Sequence, residues 1–150
     1  MNSSQNGKAF ITKSERGSKL TVYADTAKHD TVGVGHKVTS QDNLKLGDQI
    51  SQTKADSFLS SDLSTAESGV KSLVGNLDLS QNEFDALTDL TFNVGIENLK
   101  NKSPALNAAI KKGDYKAMGK QLTYTKDSAG NRQGGLITRS KEREALFNKK

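Results

Sequence analysis

Ser14-Glu15-Arg16-Gly17-Ser18-Lys19-Leu20-Thr21-Val22-Tyr23-Ala24-Asp25 opens the stretch on which the fold turns, and Thr31-Val32-Gly33-Val34-Gly35-His36 closes it. Before it, residues 4–15 read as a short helix. Ser4 or Asn6 can cap that helix, Ala9, Phe10 and Lys13 recur at helical spacing, and Gly17 ends it. From Lys19 the period changes to two. Leu20 and Val22, then Val32 and Val34, alternate with Thr21, Tyr23, Gly33 and Gly35. The pattern predicts a hairpin or small antiparallel sheet, with the polar run Asp25 to Asp30 as its turn.

Downstream the helical period returns after Gly47 and persists. Ser51, Lys54 and Ala55 open a helix that continues through Phe58, Leu59, Leu63, Ala66 and Val70. Ser80 reads as an N-cap that Glu83 completes as a capping box, and Phe84, Leu87, Leu90 and Thr91 share one face beyond it. Shorter helices are expected at 104–111, with Pro104 in the first turn, and at 114–122. Asp127 to Gly135 reads as a polar, glycine-rich loop, and 138–147 as a last helix capped by Thr138. The expected fold class is therefore α+β. A small N-terminal β-hairpin or sheet lobe faces a larger helical lobe, with a cleft between them suited to a polymer substrate. Neither an internal repeat nor a linker interrupts the chain. Residues 1–150 are expected to form a single domain, with 1–7 as a flexible N-terminal tail.

Composition narrows the function. A net charge of +5 favours an anionic partner such as a cell wall, nucleic acid or lipid surface. The basic residues are dispersed, and no aromatic–basic motif of a nucleic-acid reader occurs, so neither nucleic-acid binding nor membrane insertion is expected. With no cysteine, disulfides and thiolate chemistry are excluded. Met1 to Gly7 lacks the apolar core of a signal peptide, and no stretch approaches the ~20 apolar residues of a membrane span. Synthesis in a reducing cytosol is expected, with another agent carrying the protein to any target outside. His29 and His36 are the two histidines, and neither a His-x-x-x-His pair nor an EF-hand loop is present, so no metal is expected. Gly33-Val34-Gly35 lacks the third glycine of a dinucleotide loop, and no Gly-x-Ser-x-Gly elbow occurs, so no cofactor is expected either.

Carboxylates remain. Glu15 lies at a helix-to-strand junction and Asp25 at a strand end, so folding the hairpin back can bring them face to face. Two carboxyls across a cleft are the minimum apparatus for glycoside hydrolysis.

The segment 14–36 resembles the catalytic segment of the phage-type lysozymes, glycoside hydrolase family 24. That family's pattern is a Glu-Gly near the end of the first helix, then Tyr-x-Asp, a Thr six residues after the Asp, and Gly-x-Gly-His. Tyr23-Ala24-Asp25, Thr31, Gly33, Gly35 and His36 match it here. The resemblance continues through Ile50-Ser51 with Ala55, Leu59, Asp62 and Leu63. It includes Gln81 and Phe84 to Leu87, Phe92-Asn93-Val94-Gly95, and Gly135 to Arg139 with Glu142, Glu144 and Leu146. Three departures stand out. Arg16 intrudes between Glu15 and Gly17, so Glu15 and Asp25 are ten residues apart, one more than the pattern has. Either the helix end bulges or the hairpin starts one residue late. No tryptophan is present, leaving Leu122 or Tyr124 to fill its place in the core, and Ser140 follows Arg139 where many relatives carry a second arginine.

By this resemblance Glu15 is the general acid, Asp25 orients or deprotonates the attacking water, and Thr31 holds that water. Arg139 ion-pairs Glu15, and His36 is structural, paired with a carboxylate. Gly35, Phe92 and Asn93 border the substrate. The implied reaction is inverting hydrolysis of the β-1,4 bond between N-acetylmuramic acid and N-acetylglucosamine in peptidoglycan, by a monomer acting in the periplasm or cell wall. The setting is a phage endolysin with a holin partner, or the toxin domain of an antibacterial effector with an immunity protein. A lysozyme-fold wall-binding module without turnover is the alternative.

Overall fold

The computed structural model describes residues 1–25, 27–124 and 134–150. Helix α1 (Gln5–Ser14) starts where expected, because the Ser4 hydroxyl accepts from the Gly7 amide. The residues before it carry more contacts than a free tail would. The Ser3 amide and hydroxyl both donate to Glu67, and the Ser4 amide and hydroxyl both donate to Asp85. Gly7 packs so closely that a Cβ there would stand 2.6 Å from Asp85 Cγ. The start of the chain is therefore docked on the helical lobe, against the expectation of a loose 1–7 segment.

The sheet has three strands in the order β1 (Lys19–Ala24), β2 (Asp30–Gly33) and β3 (His36–Lys37), all antiparallel. The alternation thus covers the first two strands, and the short third strand went unforeseen. Tyr23 pairs with Thr31 and Ala24 with Asp30, but the register shifts between Lys19 and Tyr23. Val22 and Val32 are buried with Phe58 in a small cluster of their own. Leu20 lies where the register shifts and stays 38% exposed, unlike Val22.

Helix α2 (Gln52–Val74), capped by Ser51, joins the two lobes. Its 23 residues run roughly 35 Å. Phe58 near its start belongs to the β cluster, and Val70 near its end to the helical core. Helix α3 (Gln81–Val94) carries the expected capping box of Ser80 and Glu83. It is buried over all eight residues from Phe84 to Thr91, not on one face, because α1, α2 and helix α7 (Gly134–Asn148) pack around it. Its buried threonines return their hydroxyls to the helix, Thr88 to the Phe84 carbonyl and Thr91 to that of Leu87. Helices α4 (Ile96–Lys102), α5 (Pro104–Lys112) and α6 (Tyr115–Lys120) close the lobe over Leu99, Leu106 and Met118. Leu122 is buried in the same core, with Tyr124 packed against it.

Two corrections concern the C-terminal half. Helix α4 was not foreseen. The last helix begins at Gly134, so Thr138 sits inside it and does not cap it. Gly134 and Gly135 read as helix breakers in sequence, but packing of α7 along α3 overrides that weak propensity. The rest of the expected loop, 127–133, lies outside the described residues.

His36 ties the β lobe to α2. Its Nδ1 lies 2.7 Å from Asp62 and its Nε2 2.9 Å from Asp42, while its ring stacks on Phe58 at 3.9 Å. The Asp62 hydrogen bond, against partial burial and with help from Asp42, raises the His36 pKa. Against the pull of its own burial, the Thr39 amide and His36 hold the Asp42 carboxyl below its ordinary value. The His36 contribution to stability is complete below its unfolded pKa of about 6.5 and is lost as pH rises through the raised folded value. That of Asp42 is complete above about 3.9 and lost as pH falls through its lowered folded value. The Tm gap between wild type and His36→Gln should therefore be wider at about pH 5.5 than at about pH 9; equal gaps would contradict this clamp.

Candidate active site

Helix α1 ends in a Schellman motif, in which the Gly17 amide bonds to the Thr12 carbonyl (2.8 Å) and the Arg16 amide to that of Lys13 (3.0 Å). Arg16 takes the left-handed conformation, φ 62°, that such a turn requires. The inserted residue is thus absorbed at the helix end, and the strand still begins at Lys19. Glu15 is the C-cap, and its carboxyl is laid over the backbone of Gly35. A Cβ at Gly35 would fall 2.7 Å from Glu15 Cδ, and Gly35 itself has φ 66°. Glycine is required there on both counts.

The other side of Glu15 meets a buried charge network. Arg139, 6% exposed on α7, brings Nη1 to Glu15 Oε2 at 2.5 Å and Nη2 to Asp89 Oδ1 at 2.7 Å. Asp89, fully buried on α3, also receives Nε of Arg143 at 2.7 Å. Arg143 is fully buried in turn, and it donates to the Leu122 carbonyl (2.7 Å) and to Asn93 Oδ1 (2.9 Å). Two carboxylates and two guanidiniums thus balance within the lobe. Burial disfavours the Arg139 charge, but Asp89 and Glu15 outweigh it and hold its pKa above the ordinary value. For Arg143 burial prevails over Asp89 and the pKa is lowered. Neither Asp89 nor Arg143 was among the residues singled out from sequence. The available signal was an aspartate inside an apolar helical run, and two arginines four residues apart on the last helix.

Asp25 sits where β1 ends. Its Oδ1 accepts from the amides of Ala27 (2.9 Å) and His29 (2.8 Å), which folds the turn around the carboxylate and leaves Oδ2 3.6 Å from His29 Nδ1. Thr31, on β2 and 3% exposed, donates its hydroxyl proton to the His29 carbonyl at 2.9 Å. Tyr23 lies within electrostatic reach of both acids. Burial raises its pKa, Glu15 and Asp25 raise it further, and Arg16 opposes them.

One open cleft of about 350 Å³ gathers these groups. Glu15, Asp25, Thr31, Gly35, Phe92, Asn93 and Arg139 all line it, together with Tyr23 and Tyr124. His36 is not on its wall; it stands behind, in the clamp on α2. Asn93 borders the cleft with its side-chain oxygen already given to Arg143. Two carboxyls and a hydroxyl facing one groove are equipped for acid–base chemistry on a bound polymer.

Comparison with known proteins agrees with this architecture. The profile described as phage lysozyme matches residues 13–143. The chain is 32% identical to the endolysin of Salmonella phage P22 over 136 residues, covering 90% of each. It is 31% identical over 149 residues to the endolysin of Bacillus phage B103, covering 98% of this chain but 54% of that protein. The chain thus spans about half the length of that relative. The active form of the P1 phage endolysin Lyz superposes with a TM-score of 0.83, covering 98% of this chain and 85% of that one, at 20% identity, which shows a common fold. Within the site, Asp89→Asn should destabilise the protein by about 3–5 kcal/mol in urea unfolding at neutral pH, because it strands two buried guanidiniums. A loss below about 1 kcal/mol would mean the network is not closed as described.

Proposed function

The chain belongs to the phage lysozyme family, and on that footing we propose that it hydrolyses the β-1,4 bond between N-acetylmuramic acid and N-acetylglucosamine in peptidoglycan, with inversion at the anomeric carbon and residues 1–150 acting as one domain. One observation carries the reading: Glu15, Asp25 and Thr31 come from three different elements to line a single cleft, with Glu15 fixed from behind by Arg139.

In its protonated form Glu15 gives its proton to the glycosidic oxygen as the C–O bond breaks. The adjacent Arg139 guanidinium then offsets the charge that Glu15 acquires. On the other face of the sugar a water adds to the anomeric carbon and loses a proton to Asp25. The turn amides occupy Oδ1, which leaves Oδ2 for that water. Thr31 has already donated its hydroxyl proton to His29, so towards water it is an acceptor. Asp25 and Thr31 together take both water hydrogens and turn a lone pair towards the carbon under attack. Inversion requires the two carboxyls about 6.5–9.5 Å apart, room for that water.

The likeness to endolysins supports lysis of the cell wall as the biological setting, and we further propose a monomer that reaches the wall through a holin-type partner. The net charge of +5 assists approach to an anionic wall and weakens as salt rises.

Turbidity loss of permeabilised Gram-negative cells tests the assignment. Glu15→Gln should clear them about a hundredfold more slowly than wild type, or worse, at equal folding; equal rates would remove Glu15 from the role of acid. Gly35→Ala should lower kcat by roughly a hundredfold by moving the Glu15 carboxyl. Full activity in that variant would show that the close approach is not needed.

A further inference from the structure

Three described residues other than glycine have positive φ: Arg16, Lys28 and Asn43. Of the three, Arg16 is the one that lines the cleft. It occupies the left-handed position of the turn that ends α1, where a Cβ is disfavoured and glycine is the common choice. The backbone would be better served by glycine, yet the chain places a long cation there. Such strain persists where the side chain has work to do. The Arg16 side chain reaches from the end of α1 to α7, with Nη2 standing 3.4 Å from where a Gly135 Cβ would be. It lines the cleft beside Glu15.

Two more cations share that lining. Lys19 lies over the Tyr23 ring, 5.9 Å from its centroid, and Lys37 Nζ lies 3.4 Å from His29 Nδ1. Arg16, Lys19 and Lys37 are exposed, and among the described residues none of them has a carboxylate within ion-pair distance. Glu15 is paired with Arg139, and the cleft lining as a whole sets the four cations Arg16, Lys19, Lys37 and Arg139 against the two carboxylates Glu15 and Asp25. The lining therefore calls for negative charge from the ligand.

We propose that Arg16, with Lys19 and Lys37, forms a subsite for carboxylates borne by the glycan strand. The inference rests on the muramidase reading and names the part of the substrate that is recognised. N-acetylglucosamine is neutral. The negative charge is carried on the muramic acid side, by the lactyl carboxylate where it is free or by carboxylates of the attached peptide. A guanidinium pairs with either in a two-pronged hydrogen bond.

Arg16→Gly and Arg16→Gln test this on three probes: insoluble sacculi, glycan strands stripped of peptide, and neutral chitooligosaccharide. Glycine keeps the turn and hence the seat of Glu15. Arg16→Gly should raise KM on sacculi about tenfold, the worth of one charge-assisted hydrogen bond, with kcat essentially unchanged. Its Tm should rise by about 2–4 °C as strain is relieved, and binding to the neutral oligomer should stay as in wild type. A loss that persists on stripped strands assigns recognition to the lactyl carboxylate; a loss on sacculi alone assigns it to the peptide. Unchanged KM on sacculi in both variants, or an equal loss on the neutral oligomer, overturns the subsite. Co-sedimentation with sacculi in a Glu15→Gln background repeats the comparison without turnover. Absence of cleavage by wild type would thus sink the muramidase reading alone, and equal sedimentation with and without Arg16 would sink the subsite.

Discussion

Asp89 is a fully buried carboxylate in the middle of the most enclosed helix, a placement that would be untenable without partners. Arg139 and Arg143 reach it from α7 and make it tenable. The interaction is reciprocal. Arg139 gives Nε and Nη2 to Asp89, which leaves Nη1 aimed at Glu15. Arg143 spends its remaining hydrogen bonds on Leu122 and Asn93, tying the segment after α6 and the end of α3 to the same point. Buried ion networks add little net stability compared with well-packed apolar groups. What this one supplies is direction: a guanidinium with two of its nitrogens fixed offers the third in a single orientation, and Glu15 takes its place from that.

The β lobe solves a complementary problem with neutral groups. Backbone amides occupy one oxygen of Asp25, whose other oxygen lies 3.6 Å from His29 Nδ1, and a carbonyl takes the Thr31 proton, so each group is held in one orientation. These contacts are local to one turn. They hold relative to Glu15 because the lobe is anchored on α2 by the Val22–Val32–Phe58 cluster and by His36 between Asp42 and Asp62. His36 therefore bears on the site from a distance, without lining the cleft. Gly35 completes the junction, bringing the β lobe's backbone directly under the acid of α1.

Elements with a strong periodic or capping signal were legible in the sequence. Ser4, Ser51 and Ser80 cap the helices they announce, and the alternation around Val22 and Val32 marks the first two strands. Helix α4 is short and follows Gly95, which reads as a stop, so nothing local separates it from a loop. The early start of α7 at Gly134 runs against local propensity and depends on packing along α3. The same holds in the site. Glu15, Asp25 and Thr31 stood out because the motif is local, and the structure brings all three to one cleft. Asp89 and Arg143 act through pairings across some fifty residues, which no local pattern reports. The left-handed turn at Arg16 combines both cases: the extra residue is visible in sequence, but its absorption at the helix end depends on the hydrogen bonds of the folded turn.

With the acid assigned to the end of α1 and the water to the β turn, attack would come from the face opposite the leaving group. The configuration of the first-formed product reports this directly. Proton NMR of the new N-acetylmuramic acid reducing end, taken in the first minutes of digestion before the anomers equilibrate, should show the α anomer from the β-linked substrate. A β anomer appearing first would mean retention, with a carboxylate as nucleophile in place of a held water, and would contradict the division of labour between Glu15 and the Asp25–Thr31 pair.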